Sequence, residues 1–325
     1  MRRIIILMWF LVILFVTFIF HPYSWCAEDP LRYPSKPITH IVPTPPGGGA
    51  DLITRMVIEL TARILNNPII AENKGGGDGL IAMNALARSS PDGYTIGTGF
   101  PSPFVFLPQL REVPFKPKED FDFIIQIAEY QHAFVVHRDA PWKSWKDFVE
   151  DARKRPGEIK VAAVGVGERI FMRRIADQEK IKYIIVPYRS NAEQLNVVLG
   201  RHVDGGIIAS IAPHILAGSV RALAVDIKRW EIIPDVPSFQ ELGFKFDRPR
   251  WLGVVAPKGV PENILKKLEN AFMQACNDPA YQEHVKRLYM RPVFLSGTDL
   301  RRRIFEEIEE QGKMLKTLDL GLEKK

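Results

Sequence analysis

From Pro37 onward the chain alternates between short apolar runs and longer segments in which apolar residues return every three or four positions. Ile38 to Val42 reads as a buried strand. Leu52, Met56, Leu60 and Ile64 then recur at four-residue spacing, as on one face of a helix. Asn66-Asn67-Pro68 ends that helix, because the residue before proline is pushed out of α geometry. Ile69 to Ala71 predicts a second strand, Leu80 to Arg88 a second helix and Tyr94 to Gly97 a third strand. A β-α-β-α-β order calls for parallel strands with helices on their faces.

A second unit follows. Ser144 and Asp147 are spaced as a capping box, with Trp145, Phe148, Val149 and Ala152 on the inward face. Strands are predicted at Lys160 to Val164, Tyr183 to Val186 and Val220 to Asp226, with a helix capped by Ser190 between the last two. A third capping-box pair, Ser238 and Glu241, precedes a strand from Trp251 to Val255. Two long helices close the chain, marked by Ile264, Leu268, Phe272 and Ala275 and by Leu300, Ile304, Ile308 and Leu315. The economical arrangement is two α/β lobes with two crossings between them. The division expected is residues 27–128 with 227–325 in one lobe and 129–226 in the other.

Ahead of both units, Arg2-Arg3 precedes an uncharged apolar run from Ile4 to Phe20. This is the charged and apolar pattern of an export signal over residues 1–26, with cleavage after Cys26 or retention as an anchor. The expected location is therefore periplasmic. Of the two cysteines, Cys26 and Cys276, at most one survives cleavage, so no zinc or redox pair can form. The charge of +6 arises from 44 basic against 38 acidic residues that are interspersed along the chain. A nucleic-acid groove needs basic residues on one face, so that class is set aside.

The most informative run is Pro45-Pro46-Gly47-Gly48-Gly49, between a strand and a helix. Unpaired backbone N–H groups and the positive helix end attract anions there. A tight turn would use the same residues, and Asp51 serves equally as a first-turn helix residue. Gly165-Val166-Gly167 repeats the pattern in the second unit, so the two loops could face each other across a cleft around a small anion. Catalytic motifs are missing. The seven histidines form no His-x-x-x-His pair, and no Gly-x-Ser-x-Gly elbow occurs. No cofactor, metal or enzymatic activity is expected.

The run from Pro37 through Pro45-Pro46-Gly47-Gly48-Gly49-Ala50-Asp51 resembles the opening of the Bug-type receptors. These are the extracytoplasmic solute-binding proteins of tripartite tricarboxylate transporters. The likeness continues through Glu72-Asn73-Lys74, Pro91-Asp92-Gly93-Tyr94-Thr95, Val186-Pro187-Tyr188, Pro234-Asp235-Val236-Pro237-Ser238 and Trp251-Leu252-Gly253. The resemblance implies a two-lobed periplasmic binding fold (type II, Venus-flytrap), acting as a monomer that delivers a small organic carboxylate to membrane permease subunits. It carries ligand contacts onto Pro46, Gly47, Gly48 and Asp51, onto Thr98, Phe100 and Pro101, and onto Gly165, Gly167 and Glu168, with Asp204 near the cleft floor. An exported enzyme on the same fold, or a receptor reporting to a signalling partner, are the alternatives.

This sequence departs from the family pattern at the second-lobe loop. Ala163-Val164 replace serines, Glu168 stands at a further serine, and Phe171 at a histidine. A carboxylate at position 168 would repel the second charge of a dicarboxylate, or would simply sit at a favourable helix N-terminus. Phe100, Phe104 and Phe171 would suit an apolar ligand body, or belong to the core.

Overall fold

The computed structural model describes residues 32–188, 190–226, 228–244 and 249–316. The expected export segment lies outside them. Strands β1 (Ile38–Val42), β2 (Ile69–Asn73), β3 (Thr95–Gly99) and β4 (Phe121–Glu129) come first. Next are β5 (His132–His137), β6 (Lys160–Val164), β7 (Ile184–Tyr188), β8 (Gly205–Ala209) and β9 (Val220–Val225), and finally β10 (Trp251–Pro257) and β11 (Leu295–Ser296). They form a six-stranded sheet in the order β11-β4-β10-β3-β1-β2 and a five-stranded sheet in the order β7-β6-β8-β5-β9. Each is mixed. β2-β1-β3 and β7-β6-β8 are parallel, whereas β10 joins β3 and β5 joins β8 antiparallel.

The principal helices are α1 (Gly49–Leu65), α2 (Leu80–Ala87), α3 (Trp145–Lys154), α4 (Gly165–Glu179), α5 (Asn191–Leu199), α6 (Glu262–Asn277), α7 (Pro279–Arg287) and α8 (Gly297–Leu315). On one face of the first sheet, Ile53 and Val57 of α1 meet Leu268 and Phe272 of α6. On the other, Met83 of α2 and Leu300 and Ile304 of α8 cover Ile41, Trp251 and Val255. The second sheet divides its strand residues in the same way. Phe134 and Val136 of β5 face Phe148 and Phe171, while Ala133 and Val135 face the α5 side with Val198. That alternation is the period-two geometry of a strand buried on both faces. Truncating a fully buried ring such as Phe134 or Phe148 removes about 3–5 kcal/mol.

Several expectations change here. The buried stripe of α1 runs through Ile53, Val57, Leu60 and Thr61, while Leu52 and Ile64 are exposed. The helix packs against both the sheet and α6, which turns its covered face away from Leu52 and Ile64. Ser238 and Glu241 do exchange capping-box hydrogen bonds, but they close a turn and no helix follows. Phe239 and Phe244 beyond it pack into the core of the second sheet. β4, β5 and β8 carry continuous burial and no alternation, so the polar–apolar pattern did not mark them. Other local signals act as written. Ser144 and Asp147 form the capping box of α3, and α1 ends at Asn66 in the left-handed region.

Candidate functional site

Neighbouring parallel strands release their loops at the same sheet edge, and in α/β proteins ligands bind beyond those carboxyl ends. In the first sheet β1 leads into Thr44–Gly48 and β3 into Phe100–Pro101. In the second, β6 leads into Gly165–Glu168 and β8 into Ser210. The two sets of loops approach each other between the sheets. A Cβ at Gly49 would lie 3.7 Å from the Tyr130 ring and 3.8 Å from Ser210 Oγ, and one at Gly165 would lie 3.7 Å from Asp78 Oδ1. The chain crosses nearby at Tyr130 and Gln131, and again between Asp226 and Trp251.

In the first-sheet loop, Gly47 has a φ of +83° and Gly48 caps α1 without a side chain. Only glycine adopts the first conformation freely. Asp51 is buried, and its carboxylate turns back on the loop. It accepts from Gly47 N–H at 2.9 Å, from Arg55 Nε at 2.9 Å and from Asn73 Nδ2 at 2.8 Å. Asn73 also donates to the Thr44 carbonyl at 2.8 Å. Burial opposes ionisation of Asp51, but the bonds from Arg55, Asn73 and Gly47 outweigh it and hold its carboxyl below the usual range. Asp51 thus builds the loop from behind and has no free oxygen to offer a ligand.

Thr98 is also turned inward. Its Oγ1 is 2.7 Å from His40 Nε2 and 2.8 Å from Thr54 Oγ1, in a buried chain that ties α1 to the sheet. Burial lowers the His40 pKa to about 3, so the ring is neutral. Phe100 is half-buried with its ring over Gly79, and Pro101 is buried at the start of the Ser102–Phe106 turn. Phe104 and Phe171 belong to the cores of the first and second sheets.

On the second-sheet side, Gly165 opens α4 with a φ of +67°. Glu168 is 6% exposed, and its Oε2 accepts the Val164 N–H at 2.6 Å. Its Oε1 lies 3.5 Å from His132 Nε2, and His132 Nδ1 lies 3.7 Å from Asp226 Oδ2. Asp226 stands 3.6 Å from Arg250, which in turn is 3.9 Å from Glu129, the partner of Arg291 and Arg303. A line of charges therefore runs from the second-sheet loop through both crossings to α8. Burial, and then the Glu168 carboxylate, push the Tyr130 phenol up.

Asp204 does not join this group. It precedes β8, bonded to the Lys160 N–H at 2.8 Å, so it stands a strand length of roughly 16 Å from the loops. The sequence reading missed Thr44, Tyr130, His132 and Ser210. Thr44 Oγ1 and Ser210 Oγ are buried and make no hydrogen bond among the described residues, as is Ser102 Oγ after β3. Ser210 also has a φ of +53°, an uncommon conformation for a residue with a side chain. Buried polar atoms are nearly always bonded, so three unbonded hydroxyls at the ends of β1, β3 and β8 mark where a polar ligand would be held.

The chemistry offered is an anion-attracting loop, three hydroxyls and one buried carboxylate. Among the described residues no group of three or more His, Cys, Asp or Glu could hold a metal. Cys276 is buried inside the first core, where burial pushes its thiol up.

This arrangement has known relatives. A UPF0065 protein of Bordetella pertussis is 30% identical over 298 residues, covering 89% of this chain and 91% of the relative. The solved structure of the periplasmic binding protein BugD matches with a TM-score of 0.80 at 28% identity, over 90% of this chain and all of that one. The structure of R. palustris Rpa4515 with adipate matches with a TM-score of 0.81 at 26% identity, over 89% and 99% of the two chains. The fold is the two-lobed periplasmic binding fold, and the family described as "tripartite tricarboxylate transporter family receptor" matches residues 53–320. The chain belongs to that family of solute-binding receptors.

Proposed function

We propose that this receptor captures a small organic carboxylate in the cleft and delivers it, from the periplasm, to membrane subunits of a tripartite tricarboxylate-type transporter. The observation that carries the reading is the Gly47–Gly49 loop. It sits at the N-terminus of α1, is shaped by Asp51, and is flanked by the unbonded hydroxyls of Thr44 and Ser210. Such a loop binds a carboxylate through backbone N–H groups and the helix end. The structure of a 26% identical relative with adipate supports the same ligand class. The expected boundary at 226/227 moves, because Trp230, Phe239 and Phe244 pack with the second sheet: residues 32–128 with 250–316, and 132–226 with 228–244, are the lobes that would close, hinged at the two crossings.

Catalysis has no support in the same geometry. Of the carboxylates expected near the cleft, Asp51 is consumed by its loop, Glu168 caps α4, and Asp204 is remote. Glu168, His132 and Asp226 do converge, and they are read as part of the ion-pair line behind the loop, since Glu168 is already held by the Val164 N–H.

The test is a thermal-shift screen of the purified protein against mono- and dicarboxylates, followed by calorimetry. A ligand at 100 times its Kd adds about 2.7 kcal/mol of stability. A screen in which amines or neutral sugars shift the protein and no carboxylate does would refute the reading.

A further inference from the structure

Away from the cleft, α4 and the edge strand β7 enclose a groove of about 880 Å³. Tyr183, just before β7, and Ile185 and Pro187 within it alternate along its strand side. Arg169, Arg173 and Lys180 line its helix side, and Lys182 adds a fourth cation from the connection between them. Asp177 is the one acidic residue lining it, and it pairs with Arg173 at 3.2 Å. Arg169, Lys180 and Lys182 have no carboxylate within ion-pair distance among the described residues. The groove is thus a basic rim over an apolar floor, with an excess of three positive charges and the length of a helix of about four turns.

Its position gives it meaning. The same helix carries the cleft loop at its N-terminus. Val166 and Ile170, which line the groove, also pack into the first-sheet cluster with Phe104 and Phe106. One end of the groove is therefore made at the seam between the lobes, and its shape depends on how they are closed.

We propose that this groove is the surface through which the receptor engages its membrane partner, by taking an acidic amphipathic segment of that partner. The inference rests on the transport reading for the partner's nature. Charge complementarity selects the segment: Glu or Asp residues would meet Arg169, Lys180 and Lys182, while apolar residues on its other face would cover Ile185 and Pro187. Because the seam completes the groove, the partner would meet a different surface on open and closed receptor.

The test uses a synthetic helical peptide of about 15 residues with leucine on one face and glutamate on the other. A second peptide carries lysine in place of glutamate. Fluorescence anisotropy should show the acidic peptide bound and the basic one not. The double variant Lys180→Glu with Lys182→Glu should weaken binding by at least about ten-fold. The single variant Lys182→Ala serves if the double one unfolds. Hydrogen exchange should show protection of residues 165–188 by the acidic peptide. Calorimetry with the best carboxylate from the screen is run on the same samples. Carboxylate binding by both proteins, with no acidic-peptide binding or with equal binding to the variants, would overturn the groove assignment and leave the receptor reading standing. Vesicles of phosphatidylglycerol bound in place of the peptide would overturn it in favour of a lipid surface. Loss of all carboxylate binding in the unmutated protein would count instead against the receptor reading.

Discussion

The Asp51 carboxylate accepts the backbone N–H of Gly47, four residues earlier, at 2.9 Å. A first-turn helix residue thereby fixes the loop that precedes its own helix. Replacing it with alanine leaves Gly47 N–H, Arg55 and Asn73 without their acceptor and should cost about 1–3 kcal/mol. Carboxylate affinity should fall with it, and Asp51→Asn should fall less. The pH dependence follows from the depressed carboxyl. Its stabilisation is fully present above the unfolded value of about 4 and is lost as pH falls through the folded one. Denaturant midpoints of wild type and Asp51→Asn should therefore differ by a constant amount from neutral pH to about pH 5 and converge in stronger acid. A difference unchanged at low pH would show that the charge is not what holds the loop.

Buried His40 gives a second acid-sensitive element. Its folded pKa, about 3, lies below the ordinary 6.5, so the unfolded chain binds a proton that the folded one refuses. Stability is full above 6.5 and falls as pH drops from there toward 3, by up to about 1.4 kcal/mol per unit. His40→Gln should flatten this slope in urea titrations. An unchanged slope would place the acid sensitivity elsewhere.

At Gly48 an added Cβ would stand 3.6 Å from the Pro45 carbonyl, an ordinary contact, and φ is −74°. Gly48→Val should fold normally yet hold a ligand away from the loop, lowering affinity by at least about ten-fold in calorimetry. At Gly47, with a φ of +83°, the same change should cost about 1–2 kcal/mol of stability as well. Undiminished affinity in Gly48→Val would remove the loop from the binding site.

Gly167 lies against the other lobe. A Cβ there would come within 2.8 Å of the Phe106 ring, which is itself buried and cannot give way cheaply. Gly167→Ala should hold the lobes apart, giving a larger radius of gyration by X-ray scattering with ligand present and faster ligand release. Identical scattering curves for the two proteins would show that the seam adapts.

Glu168 is a helix-end residue that accepts the Val164 N–H, and its other oxygen lies 3.5 Å from His132; on the binding reading it also meets the ligand. Two like charges about 4 Å apart cost about 4 kcal/mol at an effective dielectric of 20. Glu168→Gln keeps an acceptor for Val164 N–H while removing the charge. It should raise affinity for succinate-like dicarboxylates by about ten-fold and leave monocarboxylates nearly unchanged. Equal affinities before and after would reduce Glu168 to its capping role.

Much of this molecule was legible in the order of its residues. Hydrophobic period, proline stops and capping pairs are local, so the strand, glycine loop and helix at Val42–Ala50, and again at Val164–Gly167, could be read directly. What local signals cannot carry is direction and adjacency. β8 has no alternation, because both its faces are buried, and Asp204, which the resemblance carried to the cleft floor, lies at the opposite end of that strand. Asp51 and Thr98 sit at the expected places, yet their side chains point backward, since the partners that claim them, Asn73 and His40, arrive through strand pairing. Thr44, Tyr130 and Ser210 are separated by some eighty residues at each step. Their convergence depends on β1, β8 and the crossing at Tyr130 meeting at one edge. The sequence by itself determined the main helices, the strand–glycine loop–helix units and where glycine must turn the chain. Only the tertiary structure decided which side chains remain free to meet a ligand, because that depends on which partners packing brings within hydrogen-bond reach.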